Sequence, residues 1–248
     1  MKNLLIYINP IDKKFSQEHD TLTKIQIDNS LKFGWKHEDI LLVTNFKYKY
    51  HGIKALVIGD KNYCEFSPCG SKIYAIVTLF ELGLIGEDLY WFHDNDAFQL
   101  EKNIDPKMGG ADIGMVVYDN APMGHNYAGA HRWNSGIIFF KKTSKDFFNI
   151  TKKRMQSNLL GEERAFMRIQ NEEKQNNLGV TERTKILNLT YNFIPSNSLI
   201  HFEKRYTTAE RPIKIIHFDP FDPMQNKLSQ LVDSKTLINL FNKCGIPS

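Results

Sequence analysis

Apolar residues in this chain cluster in short runs separated by longer stretches of mixed character. Leu4 to Ile8 is the first run, Ile40 to Thr44 the second, Lys54 to Ile58 the third and Leu89 to His93 the fourth. Each has the length of a strand and little polar alternation, the pattern of strands buried on both faces. Helical patterns lie between them. Ser16 to Phe33 carries Leu22, Ile25, Asn29 and Leu31 at loosely helical spacing, with Gly34 placed to stop it. Lys72 to Leu82 is a strongly apolar helix with Ser71 as its expected N-cap. This alternation predicts an α/β fold, with a mixed, mostly parallel central sheet flanked by helices.

The second half is less regular. Asp112 to Val117 and Gly136 to Phe140 read as strands, and Thr143 to Ser157 and Glu162 to Asn176 as helices. Lys185 to Leu189, Leu199 to Phe202 and Ile213 to His217 are short strand candidates. Leu228 to Phe241 reads as a closing amphipathic helix.

Composition narrows the class. Hydrophobic residues make up 42% and charged residues 24%, which excludes a disordered chain. The formal net charge of +4 suits an anionic small-molecule ligand and permits nucleic acid without favouring it. Cys64, Cys69 and Cys244 match no zinc spacing and read as free thiols of a reducing compartment. The N-terminal apolar run is shorter than the ~7–15 residues of a signal segment. No run approaches the ~18 apolar residues of a membrane span, so a cytoplasmic location is expected.

The most informative segment is Leu89-Tyr90-Trp91-Phe92-His93-Asp94-Asn95-Asp96. A buried strand leads into two carboxylates one residue apart. In parallel sheets, ligands bind beyond the carboxyl ends of strands. Asp94 and Asp96 would face that crevice as hard oxygen donors for Mn2+ or Mg2+. A nucleoside diphosphate needs such an ion to offset its charge. An ordinary exposed turn is the competing reading of the same residues.

The strand followed by Asp94-Asn95-Asp96 resembles the Asp-x-Asp motif of metal-dependent, GT-A fold glycosyltransferases. Asn134-Ser135-Gly136, running into Ile137-Ile138-Phe139-Phe140, resembles their Asn-x-Gly segment under the donor sugar. Ile215-Ile216-His217-Phe218 is similar to the strand whose histidine completes the metal site. Glu162-Glu163-Arg164-Ala165-Phe166 stands where these enzymes often carry an acidic residue opening a helix. The opening region, with Ile25 to Ser30 and Leu42 to Phe46, is similar to the small glycosyltransferase domain of large chlorella viruses. Many relatives follow the histidine with Gly and a Lys-Pro-Trp motif. Here His217-Phe218-Asp219-Pro220-Phe221-Asp222-Pro223 departs from that pattern. The departure removes a lysine expected on the diphosphate and leaves Lys227 as a weak substitute.

The resemblance implies one glycosyltransferase domain over 1–248. About 1–100 would be the nucleotide-binding half, and about 101–248 the acceptor-binding half with its C-terminal helix. It also implies transfer of a sugar from a nucleotide-sugar, a UDP-sugar, to a hydroxyl of a glycan-type acceptor. Asp94, Asp96 and His217 would hold the metal. Donor contacts would fall to Asn9, Thr44 and Asn45 in loops after the first two strands, and to Lys72 at a helix start favourable to anions. Asp94, Asn134 and Gly136 would complete the donor site. Glu162 and Glu163 are the catalytic candidates, as general base or as stabiliser of positive charge at the anomeric carbon. Trp133 and Arg132 stand nearby as acceptor contacts or core, and 108–126 as an acceptor wall. Three other readings keep part of this picture: a DNA-directed glycosyltransferase, a sugar nucleotidyltransferase, and a non-catalytic carbohydrate-binding module. The nucleotidyltransferase usually needs a Gly-rich loop after its first strand, and Asn9 to Phe15 has no glycine.

Overall fold

The computed structural model describes residues 1–117, 133–176, 179–180, 182–195 and 199–218. The expected C-terminal helix, Lys227, Cys244, Arg132 and the later part of 108–126 lie outside the described residues. The first half alternates β1 (Lys2–Tyr7), α1 (Gln17–Lys32), β2 (Ile40–Thr44), α2 (Ser71–Glu81) and β6 (Tyr90–His93), with short β3 (Lys49–Tyr50), β4 (Ile53–Lys54) and β5 (Leu56–Val57) after β2. β7 (Ala97–Gln99), β8 (Ile113–Val117), β9 (Trp133–Phe140), α3 (Lys145–Asn158), α4 (Glu162–Asn176), β10 (Thr184–Ile186), α5 (Leu199–Thr208) and β11 (Ile215–His217) follow.

Seven strands form one sheet in the order β10-β8-β9-β6-β1-β2-β5. Only β9 runs against the others, pairing antiparallel with both β6 and β8. Successive residues point to opposite faces, so paired apolar positions serve two cores. Leu4, Phe92, Ile138 and Phe140 pack beneath α2, α3 and α4. Leu5 and Leu42 pack with Ile27 of α1, and Trp91 and Phe139 join Tyr191 and Ile215 on the same side. The near-continuous apolar runs of the sequence follow from this double burial.

α2 is buried from Ser71 to Phe80, which accounts for its apolar composition. Its N-cap is Gly70, not Ser71. The Ser71 hydroxyl instead accepts from the Cys64 backbone N–H at 2.9 Å, tying the preceding loop to the helix start. The expected third strand is only β4 and β5, with Leu56 and Val57 exposed at the sheet edge. Leu199 to Phe202, expected as a strand, opens α5. A four-residue apolar run carries no period of its own, and the helix formers Glu203, Lys204 and Arg205 extend it as a helix. No helix among the described residues is long and apolar enough to cross a membrane.

The chain runs from β1 outward to β2 and β5, then returns to place β6 on the other side of β1. This reversal opens a crevice at the carboxyl ends of β1 and β6.

Candidate metal and donor site

Asp94 directly follows β6, and its N–H donates to Gly136 O of β9 at 2.8 Å, extending the sheet ladder by one residue. Its carbonyl accepts from Ala97 N–H at 3.1 Å, closing a tight turn through Asn95 and Asp96 into β7. β11 pairs antiparallel with β7, with His217 opposite Ala97. Phe218 N–H donates to Asp96 O at 3.0 Å. A two-stranded ribbon thus carries His217 back to the aspartate turn. Ligating atoms of Asp94, Asp96 and His217 all lie within 4.8 Å of one another.

Two cations stand against these carboxylates. His217 Nε2 lies 3.2 Å from Asp96 Oδ1. Lys72, in the first turn of α2, donates to Asp94 Oδ1 and Oδ2 at 2.9 and 3.0 Å. Burial would raise the Asp96 carboxyl, but the His217 imidazolium outweighs it and holds Asp96 at about 2. Burial likewise opposes charge on His217, yet Asp96 keeps its pKa above the ordinary imidazole value. For Asp94, burial prevails and raises the carboxyl despite Lys72. Two oxygen donors and an imidazole form a set suited to Mn2+ or Mg2+. The two protein cations balance the charge that a divalent ion would balance, so these residues fit such an ion.

Lys72 reaches further. It is 5% exposed, lies 3.6 Å from Glu162 Oε1, and donates to Ser135 O at 3.2 Å. Glu162 is buried and accepts from Ser135 Oγ at 2.9 Å. Glu163 Oε1 accepts from Ser135 N–H at 3.1 Å. Both glutamates therefore meet at Ser135, directly behind the Lys72–Asp94 pair.

A cleft of about 530 Å³ opens over this floor. Lys72, Asp94, Asn95 and Asp96 line it, together with Tyr7, Asn9, Glu18 and His19. Asn9 thus faces the cleft as expected, and its side chain shapes the loop by accepting from Ile11 and Asp12 N–H, each at 3.2 Å. Thr44 and Asn45 do not line the cleft. The Thr44 hydroxyl bonds to Phe46 O at 2.5 Å, because β2 ends beneath its own turn. Asn45 ties Asn9 O to Asp60 Oδ1, at 2.9 and 2.8 Å, and so holds the loops from behind. Asn134 and Gly136 are also behind the floor: Asn134 is 2% exposed, and Gly136 packs against the His217 ring. Trp133 is a core residue.

The fold has counterparts among solved structures. A galactosyltransferase, LgtC, in complex with donor and acceptor sugar analogues superposes with a TM-score of 0.59 at 11% identity, over 100% of this chain and 98% of that one. A glycosyltransferase involved in glycosylating the major capsid of PBCV-1 gives 0.51 at 11% identity, covering 93% and 99%. Mouse xyloside xylosyltransferase 1, in its apo form, gives 0.51 at 12%, covering 90% and 98%. The chain has the GT-A glycosyltransferase fold. No family model and no curated protein matches the sequence.

Within this GT-A fold, sequence reasoning passed over Tyr7, Glu18, His19, Leu22, Tyr63 and Cys69, all of which line the cleft. Tyr7 stood near the end of the first expected strand, Leu4 to Ile8, and the structure ends β1 at it. Glu18 and His19 open α1 just after Ser16, whose side chain caps the helix by accepting from His19 N–H. Tyr63 and Cys69 lie in the loop before α2, where no local pattern marks them. Asn192 was also missed; its Oδ1 lies 3.1 Å from His217 Nδ1.

Proposed function

We propose that this chain is a metal-dependent glycosyltransferase that moves a sugar from a nucleotide-sugar, a UDP-sugar, to a hydroxyl of a glycan-type acceptor. The observation carrying this reading is the meeting of Asp94, Asp96 and His217, with both aspartates lining a cleft that the β1 loop also lines. A bound Mn2+ or Mg2+ would offset the diphosphate charge and stabilise the leaving group.

The chain's own residues divide the remaining work. Asp94, Asp96 and His217 hold the ion. Lys72 opposes the effect of burial on Asp94 through contacts to both carboxylate oxygens. Tyr7 and His19, whose rings lie 4.6 Å apart, offer an aromatic wall for the nucleobase. The Glu162 carboxylate is committed to Lys72 and Ser135, so its part is to steady the floor. Glu163 is less buried and is the better candidate to face the reacting sugar.

A screen of UDP-sugars for Mn2+-dependent hydrolysis tests this without an acceptor. Release of UDP that stops on chelation is the expected result. No hydrolysis of any sugar, together with no thermal shift from Mn2+ and UDP combined, would overturn the reading.

A further inference from the structure

The His217 ring is held on the side away from Asp96 by a chain of buried amides. Its Nδ1 lies 3.1 Å from Asn192 Oδ1. Asn192 Nδ2 donates to Asn134 Oδ1 at 2.7 Å. The same Asn134 oxygen accepts from the Gly136 backbone N–H at 2.8 Å. Asn192 and Asn134 are 1% and 2% exposed, so water does not compete for these bonds.

The direction of every bond follows from one group. A backbone N–H can only donate, so Asn134 turns its oxygen to Gly136. That oxygen can meet Asn192 only through the Asn192 NH2. The Asn192 oxygen is then left facing His217, and an oxygen can only accept. Nδ1 must therefore carry a proton, and Nε2 is the nitrogen turned toward Asp96. Sheet backbone fixes the spacing as well. His217 N–H donates to Phe193 O at 2.9 Å and Phe193 N–H to Ile215 O at 3.0 Å, so Asn192 and His217 ride on one ladder. Gly136 completes the seat, because a Cβ there would lie 2.1 Å from His217 Cε1.

We infer that Asn192 and Asn134 are positioning residues for His217: they keep a proton on Nδ1 and aim Nε2 at the space shared with Asp94 and Asp96. This rests on the metal reading above and gives Asn134 a task other than contact with the sugar. Outer partners of this kind set ring orientation and ligand basicity.

Two measurements on the full chain test it. The first is imidazole nitrogen NMR on histidine-labelled protein without added metal, at about pH 9, where a free imidazole is neutral. Nδ1 of His217, assigned by His217→Gln, should carry a proton in the wild type. The second is Mn2+ affinity, read by the loss of the free-ion EPR signal. Asn192→Leu should weaken Mn2+ binding by about 10–100-fold. Asn192→Asp, which retains the acceptor for Nδ1, should recover part of that loss. An Nε2–H tautomer in the wild type overturns the inference even if Asn192→Leu fails to fold, as does unchanged affinity in a folded Asn192→Leu. Either result leaves the metal reading standing, since the wild type would still bind Mn2+. A wild type that binds no Mn2+ removes the metal reading and the positioning role together.

Discussion

Asp96 and His217 depend on each other's charge, and this coupling has a signed pH dependence. The folded Asp96 carboxyl sits at about 2, below the ~3.9 of an unfolded aspartate, so its contribution is complete above about pH 4 and fades as pH falls toward 2. His217 is raised in the folded state, so its contribution is complete below about pH 6.5 and fades as pH rises through the folded value. Without added metal, urea melts across pH should show a stability plateau between these flanks. Asp96→Asn should flatten both flanks and reduce turnover by about a hundred- to a thousand-fold, as loss of a charge-stabilising group does. An unchanged pH profile in Asp96→Asn would refute the coupling. Gly136 gives a sharper steric test. An added Cβ meets His217 Cε1 at 2.1 Å and Nδ1 at 2.7 Å, so Gly136→Ala must push the ring out of its seat. Mn2+ affinity should fall by at least about 10-fold, while far-UV circular dichroism stays that of the wild type.

α1 and α2 reach the site by opposite means. α1 buries a polar stripe of Thr23, Gln26, Asn29 and Ser30. Gln26 donates to Asn95 O and Ala97 O, each at 2.8 Å, and Asn29 donates to Gln99 O, also at 2.8 Å. These bonds satisfy the backbone of the aspartate turn and β7, and they explain why α1 has only a loose apolar period in the sequence. α2 is mostly apolar along its buried length, and its first turn inserts Lys72 beside Asp94 and Glu162. Lys72 joins Asp94 to Glu162, and removal of one partner from a buried ion network leaves uncompensated charge. Lys72→Met should cost about 3 kcal/mol, the low end for such a change, because Asp94 is a third exposed. Chemical denaturation measures it, and a loss under about 1 kcal/mol would mean that the network is solvent-screened.

The whole molecule gathers these parts at the reversal of strand order between β1 and β6. The cleft spans that boundary, so a ligand joining the β1 loop to the aspartate turn would bridge two segments of the sheet. Ligands that bind only the folded state stabilise it by mass action. At about 100 times their dissociation constants, Mn2+ and UDP together should contribute about 2.7 kcal/mol. For a chain of this length that raises Tm by about 5–10 °C, and UDP alone should do much less. Equal shifts with and without Mn2+ in differential scanning fluorimetry would argue against a metal-bridged diphosphate.

Runs such as Leu4–Ile8 and Tyr90–His93 could be read as strands from order alone, because burial on both faces leaves little room for polar residues. The Asp94–Asp96 pair could be read as a crevice motif because it directly follows such a strand. Those features are local: hydrophobic period and a turn at a strand end are properties of neighbouring residues. Which of the marked polar residues face the cleft is not local. Thr44, Asn45 and Asn134 belong to the expected segments yet turn away: Thr44 bonds within its own turn, and Asn45 and Asn134 are claimed by groups from other loops. Tyr7 and His19 enter through a ring contact between β1 and α1, and Asn192 because Phe193 pairs with β11 and brings it within hydrogen-bond reach of His217. Chain order could nominate His217, but only strand pairing, which depends on contacts between residues remote in sequence, could put its Nε2 beside Asp96 and its Nδ1 against Asn192.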